Sequence, residues 1–77
     1  MFEYSFTLVI EGDVEPHLDE LFEAGCEDAT FGSVDGVHYA DFDREAETLS
    51  RAVSSAIADV ESVPGLVARR LREHDQG

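Results

Sequence analysis

Residues 34–45, VDGVHYADFDRE, contain the turn from which the rest of the fold can be predicted. An Asp-Gly pair at residues 35–36 lies between two runs of strand-forming residues, which is the strongest short-range signal for a β-hairpin with a two-residue turn. The pattern therefore predicts antiparallel strands over residues 29–34 and 37–42.

The chain before the hairpin predicts one strand and one helix. Apolar and polar residues alternate over residues 2–10, FEYSFTLVI, as in a strand with one buried face. Residues 15–24 carry apolar side chains at helical spacing, with Pro16 in the first turn and Gly25 as the C-terminal stop.

The chain after the hairpin predicts a second helix and a last strand. Thr48 is a good N-cap for a helix that runs to residue 61 or 62, and residues 66–71, LVARRL, predict the strand. Residues 72–77 are expected to be a frayed tail. The order β-α-β-β-α-β predicts a single α+β domain over residues 1–77 with a ferredoxin-like fold, in which both helices cover one face of a four-stranded antiparallel sheet.

The hairpin also contains one histidine and four acidic residues, which raises the question of a metal or acid/base site. Neighbouring side chains of a strand point to opposite faces, so His38 and Asp41 are expected to diverge. Residues 43–45 are expected past the strand end, in the loop before the second helix, where acids commonly act as caps or turn formers. We favour a structural hairpin over a metal or general-base site, with His38 at the edge of the helix-covered face.

The composition is strongly acidic. Eighteen Asp and Glu against five Arg, without Lys, give a formal charge of −13. Such a field repels phosphate backbones and anionic lipids, so we expect no direct binding of nucleic acid and no membrane contact. The acid excess without lysine also suggests adaptation to high salt.

The sequence offers little for catalysis. A chain of 77 residues has little room for an enclosed active site, and it contains no phosphate-binding loop or catalytic motif. Cys26 cannot form an internal disulfide, fits a reducing cytoplasm, and precedes Glu27 and Asp28, whose charge disfavours a thiolate. We expect a cytoplasmic protein that is not an enzyme and that has no cofactor and no metal.

Two candidate interfaces follow from the predicted fold. Face-to-face packing of the open sheet would bury Val9, Val37 and Tyr39. Pairing through the last strand would instead place a local basic patch at the seam, formed by Arg69, Arg70 and Arg72. These arginines either pair with acidic groups of the same molecule or of a second copy, or they form a docking strip for an acidic partner.

Two blocks, LFEAGCEDATFG and DGVHYADFDREAETLSRAVSSAIADVE, resemble the amino-terminal domain of a group of small bacterial helix-turn-helix proteins described as regulator-like or antitoxin-like. The resemblance spans about residues 4–68. It implies a βαββαβ module with a part in dimerisation or partner binding, and it implies no catalytic residue. Because the helix-turn-helix segment is missing, we expect either a stand-alone version or one domain of a longer protein.

We therefore expect a non-enzymatic interaction module that forms a homodimer and binds another protein. The alternative is an acidic inhibitor or nucleic-acid mimic that occupies the basic site of a toxin or a DNA-binding enzyme. Its candidate strip comprises Asp13, Glu15, Asp19, Glu20 and Glu23. A small-ligand sensor on the sheet is a third, weaker possibility.

The charge density predicts that the free energy of unfolding rises with ionic strength. Repulsion among the acidic groups acts over about 10 Å at 0.1 M salt and about 3 Å at 1 M. Urea unfolding at 0.1, 0.5, 1 and 2 M NaCl should show a rising midpoint. A midpoint independent of NaCl would show that self-repulsion does not limit stability.

Overall fold

The computed structural model describes residues 1–71 and has the predicted element order. A short 3₁₀ turn precedes the first helix at Glu15–His17 and another follows it at Cys26–Asp28. The strands and helices are β1 (Phe2–Glu11), α1 (Leu18–Ala24), β2 (Ala29–Val34), β3 (Val37–Ala46), α2 (Leu49–Glu61) and β4 (Val67–Arg70).

The four strands form one antiparallel sheet in the order β2-β3-β1-β4. This order, with β1 and β3 at the centre and both helices on one face, is the ferredoxin-like βαββαβ arrangement and confirms the predicted fold class. β2 and β4 are the two edges.

The hairpin between β2 and β3 has the predicted turn. Asp35 (φ 53°) and Gly36 (φ 80°) both adopt positive φ, as a two-residue type I′ turn requires. Val34 pairs with Val37 directly across the turn. This turn fixes the register of the hairpin and hence which side chains of β3 face the helices.

The core lies between the sheet and the helices. The rings of Phe6 and Phe42, which are direct partners on β1 and β3, stack with their centroids 5.5 Å apart. Small side chains on α2 allow the helix to approach the sheet closely. The fully buried residues include Leu8, Leu21, Ala40, Ala52, Ala56 and Val60. Thr48 caps α2 as predicted, because its hydroxyl accepts a hydrogen bond from the Arg51 amide at 3.1 Å.

The boundaries differ from the prediction in three places. β3 runs to Ala46, so residues 43–45 belong to the strand and not to a loop, because the ten-residue β1 offers pairing partners along that whole length. The first turn of the predicted helix 15–24 is 3₁₀, with the His17 amide bonded to the Val14 carbonyl. β4 is shorter than predicted. The predicted tail over residues 72–77 lies outside the described residues.

The extension of β3 places Arg44 on the helix-covered side, under α2 and beside Asp28. Its Nε and Nη2 donate to the two carboxylate oxygens of Asp28 at 2.8 and 3.0 Å, and Nη1 donates to Asp59 of α2 at 3.0 Å. The remaining bonds go to the Gly25 carbonyl at 2.8 Å and the Ser55 hydroxyl at 3.0 Å. All five N–H donors of the guanidinium are thereby satisfied.

Arg44 joins three parts of the chain that are distant in sequence. β3 carries the arginine, α2 carries Asp59, and the turn after α1 supplies Gly25 and Asp28. The hydrogen bonds to Asp28, its largest cause, and to Asp59 raise the pKa of Arg44 above its ordinary value. The guanidinium also lies 5.1 Å from the centroid of the Phe42 ring, so it closes one end of the core.

Candidate protein-interaction surface

The sheet face opposite the helices is uncovered in the part of the chain that the structure describes. Strand pairing assigns its members, because residues directly opposite each other in an antiparallel pair share a face. They are Glu3, Ser5, Thr7, Val9 and Glu11 of β1, Thr30, Gly32 and Val34 of β2, Val37, Tyr39, Asp41, Asp43 and Glu45 of β3, and Val67 and Arg69 of β4.

One half of this face is acidic. Asp41 and Asp43 are exposed, and each carboxylate accepts a hydrogen bond from a hydroxyl of β1: Thr7 donates to Asp41 at 2.6 Å and Ser5 to Asp43 at 2.5 Å. The next row places exposed Glu3 directly opposite exposed Glu45. The hydroxyls hold the two aspartates in place, so the acidic half presents oriented carboxylates rather than freely moving ones.

The other half is apolar and contains the three apolar residues predicted for the interface. Val37 is 39% exposed and Tyr39 is half-buried. Val9 is only 8% exposed, because it lies between Tyr39 and Arg69 in the same row of the sheet. Val37 and Tyr39 therefore remain available to a partner, whereas Val9 has little surface left to bury.

A shallow cleft opens beside Tyr39. Gly32 is the β2 partner of Tyr39, and a side chain built on it would meet no other atom within 4 Å. The missing side chain leaves a depression of about 370 Å³ that Thr7, Thr30 and Asp41 also line. The cleft thus joins the apolar half of the face to the acidic half.

The predicted basic patch is divided by strand geometry. Arg69 lies on the open face, where it forms an ion pair with Glu11, while Arg70 is opposite Leu8 and points to the other side. Arg72 lies outside the described residues. The pairing of Arg69 agrees with the first interpretation, in which the arginines neutralise acidic groups of the same molecule.

The histidine and the aspartate of the hairpin that raised the question of metal or acid/base chemistry lie apart. His38 is half-buried on the helix-covered side opposite Ile10, as predicted, and Asp41 is on the open face. The His17 ring bonds to the Asp13 carbonyl at 2.7 Å. Within residues 1–71, no group of three or more His, Cys, Asp or Glu side chains is placed to hold a metal ion.

Cys26 is fully buried beside the Arg44 network. Burial, and secondarily the charge of Asp59, raise the pKa of its thiol to about 11, although Arg44 acts in the opposite direction. A neutral, enclosed thiol is a poor nucleophile. Cys26 therefore serves as a core residue in this geometry.

Arg44 and Phe22 were not singled out from the sequence. The alternation that places Phe42 on the helix-covered side continues to residues 44 and 46. Extending this alternation past residue 42 is the sequence signal that would have placed Arg44 beneath the helices. Phe22, one of the apolar residues at helical spacing within residues 15–24, is 42% exposed. Its ring packs edge-on against Phe31 at the β2 edge, with centroids 6.2 Å apart.

Comparisons with protein-family models, with curated proteins and with solved structures gave no match. The resemblance to regulator-like and antitoxin-like proteins therefore stays a prediction from the sequence. Among the described residues, no helix is both long enough and apolar enough to cross a membrane.

The raised pKa of Cys26 predicts a loss of stability at alkaline pH. The unfolded chain releases the thiol proton near pH 9 and the folded chain near pH 11. Unfolding is therefore favoured progressively as pH rises from about 9 to 11, and the contribution is fully present below pH 9.

Urea unfolding of the wild type and of Cys26→Ala between pH 8 and pH 10.5 measures this effect. The Ala variant should be less stable at pH 8 because it leaves a cavity, but its stability should fall less steeply with pH. The difference in slope isolates the thiol from the ionisable groups that the two proteins share. Parallel slopes would contradict the assignment.

Proposed function

We propose that this chain is a cytoplasmic, non-enzymatic protein-interaction module of a regulator-like or antitoxin-like protein, and that its open sheet face binds another protein. The helix-covered side buries the core and the Arg44 network. The open side presents an oriented acidic half next to an apolar half and a cleft. A binding role accounts for this division better than a structural role does.

The observation that carries the proposal is the acidic half of the face. Like charges directly opposite each other on neighbouring strands destabilise a sheet, yet Glu3 faces Glu45 and the next two rows each carry an aspartate. Ser5 and Thr7 orient those aspartates without neutralising them. A basic partner surface would neutralise all four acids and remove the repulsion.

The chemistry of the face defines the class of partner. A protein that inserts an apolar side chain beside Val37 and Tyr39, and that carries Arg or Lys next to it, would match both halves. Because the acidic half lies in solvent, its attraction should weaken with added salt. A basic toxin or the basic segment of a regulator fits this description.

An acidic inhibitor or nucleic-acid mimic that acts through the region of α1 is the second candidate. The five acids of its predicted strip are all exposed, and the Glu20 carboxylate lies 3.7 Å from the His17 ring. The exposed apolar side chain of α1, Phe22, packs against Phe31 at the β2 edge. The five acids would bind a basic site mainly through charge.

The two candidates can be separated with matched charge changes. The wild-type chain is immobilised and exposed to a lysate of the source cells at low salt, and captured proteins are eluted with NaCl and identified by mass spectrometry. Dissociation constants of the purified partner are then measured for Asp41→Asn/Asp43→Asn and for the matched control Asp19→Asn/Glu23→Gln. Each double variant removes two exposed negative charges.

The proposal predicts that the open-face variant weakens binding at least about tenfold and that the α1 variant changes it little. Val37→Ser/Tyr39→Ser should also weaken binding, at constant charge. The reverse pattern would support the acidic mimic. Equal, small effects of all three variants would contradict both candidates.

A further inference from the structure

β2 differs in composition from the other strands. Its six residues, ATFGSV, include no charged side chain, whereas β1, β3 and β4 each carry at least two. Within residues 1–71, β2 is also an edge strand, with β3 as its one neighbour. Natural proteins usually protect an edge strand from pairing with charges, prolines or bulges, and β2 has none of these.

The turn determines which backbone groups of β2 face outward. In a two-residue hairpin the pair beside the turn, Val34 and Val37, is hydrogen-bonded, and hydrogen-bonded and non-hydrogen-bonded pairs then alternate along the ladder. Ala29, Phe31 and Ser33 consequently direct their N–H and C=O groups away from β3. These three residues form a regular, unprotected pairing edge.

Apolar side chains flank this edge on both faces of the sheet. On the helix-covered side, Phe22 is 42% exposed and packs edge-on against Phe31. On the open side, Val34 is 61% exposed and lies opposite Val37. A strand added to β2 would cover apolar surface on both sides as well as satisfy the backbone groups.

We propose that two copies of this chain pair antiparallel through β2, with Phe31 of one copy opposite Phe31 of the other. This pairing rests on the proposed function as an interaction module, and it specifies the surface and the strand register through which the module self-associates. The two-fold axis then passes between the two Phe31 residues, and Ala29 of each copy pairs with Ser33 of the other. Three hydrogen-bonded pairs supply about six intermolecular hydrogen bonds and a continuous sheet across both copies.

Charge favours a second copy as the occupant. Two chains of formal charge −13 repel each other wherever acidic surfaces meet, and β2 is the strand where they can meet without opposing charges. In the proposed register Ala29, Thr30, Phe31, Gly32 and Ser33 face one another. The contact uses the same patch on both copies, so it closes into a dimer and does not extend into a fibre.

The dimer would keep the proposed partner surface available. Because directly opposite residues share a face, the open faces of the two copies lie on the same side of the joined sheet. The acidic half of the face, on β1 and β3, stays clear of the contact. One dimer could then engage a partner at two places.

Sedimentation equilibrium of the purified chain tests the pairing. In 1 M NaCl we expect a mass of twice 8.5 kDa at micromolar concentration. The dissociation constant should rise as NaCl is lowered to 0.1 M, because repulsion between the copies is screened less. This dependence is opposite in sign to that expected for the basic partner.

Two variants at one position provide the structural test. Ser33→Pro removes an outward N–H without removing a β2–β3 hydrogen bond, and edge strands tolerate proline. It should raise the dissociation constant at least about tenfold, because each copy loses one N–H donor and the dimer therefore loses two intermolecular hydrogen bonds. Ser33→Ala keeps the N–H and should leave the dimer intact. In 1 M NaCl, where the added repulsion is screened, Arg69→Glu/Arg70→Glu, which reverses charge at the β4 edge, should also leave the dimer intact.

Hydrogen exchange of the wild type keeps the test independent of any variant's folding. The Ala29, Phe31 and Ser33 amides should be protected at high protein concentration and exchange rapidly at low concentration. The proposal would be overturned if the wild type stayed monomeric at every protein concentration measured in 1 M NaCl. It would also be overturned if Ser33→Pro left the dissociation constant of the dimer unchanged, or if the β4 charge reversal abolished the dimer in 1 M NaCl. If the chain is a monomer but still captures a partner, β2 pairing is wrong and the proposed partner binding is not affected. If the chain is a dimer but captures no partner through its open face, the proposed partner binding is wrong and β2 pairing is not affected.

Discussion

The architecture of the helix-covered side depends on the hydrogen bonds that the Arg44 guanidinium donates. Its four hydrogen-bond acceptors come from α2 and the turn after α1, and the arginine itself belongs to β3, so removing it would leave these elements joined by the core alone. The side chain is 11% exposed, and Asp28 and Asp59 are about one-third exposed. Its hydrogen bonds therefore form at the boundary of the core, where water competes poorly for the arginine but still reaches the acids.

The position of Arg44 also explains features around it. Gly25 has a left-handed conformation, and its carbonyl accepts from the guanidinium while its Cα lies against Asp59. A side chain at residue 25 would come within 2.8 Å of the Asp59 carboxylate. The end of α1 and the C-terminal half of α2 are thus brought together through one arginine, in a chain whose many acids would otherwise repel.

This arrangement separates the stabilising contacts from the surfaces proposed for binding. The Arg44 network and the aromatic stack of Phe6 and Phe42 both lie under the helices. The oriented carboxylates lie on the opposite face, and the uncharged edge lies at β2. Substitutions on the open face can therefore change binding with little effect on folding, which allows the two properties to be measured separately.

The sequence predicted the element order because local signals were strong. Asp-Gly at residues 35–36, the cap at Thr48 and the alternation of residues 2–10 each have a direct physical cause, and the sheet order follows from the order of elements. The length of β3 was missed because polar residues at its end resemble a loop until β1 is seen to supply partners. Arg44 was missed for the same reason.

The surfaces were harder to predict than the fold. Alternation correctly placed Val37 and Tyr39 on the open face, as it placed Glu3, Ser5 and Thr7. The burial of Val9 depends on cross-strand neighbours, and the exposure of Phe22 depends on how far α1 extends over β2. Neither can be read from periodicity, because both are set by how separate elements pack against one another.

A double-mutant cycle between Arg44 and Asp59 measures how strongly the arginine joins β3 to α2. The exposed pair of Arg69 and Glu11 provides a matched control in the same chain. The free energy of unfolding is measured at 1 M NaCl for Arg44→Met, Asp59→Ala and their combination, and for Arg69→Met, Glu11→Ala and their combination. We predict a coupling of about 1.5–3 kcal/mol for the first pair and below about 0.5 kcal/mol for the second. Equal couplings, or none for Arg44 and Asp59, would show that the Arg44 network does not hold β3 and α2 together.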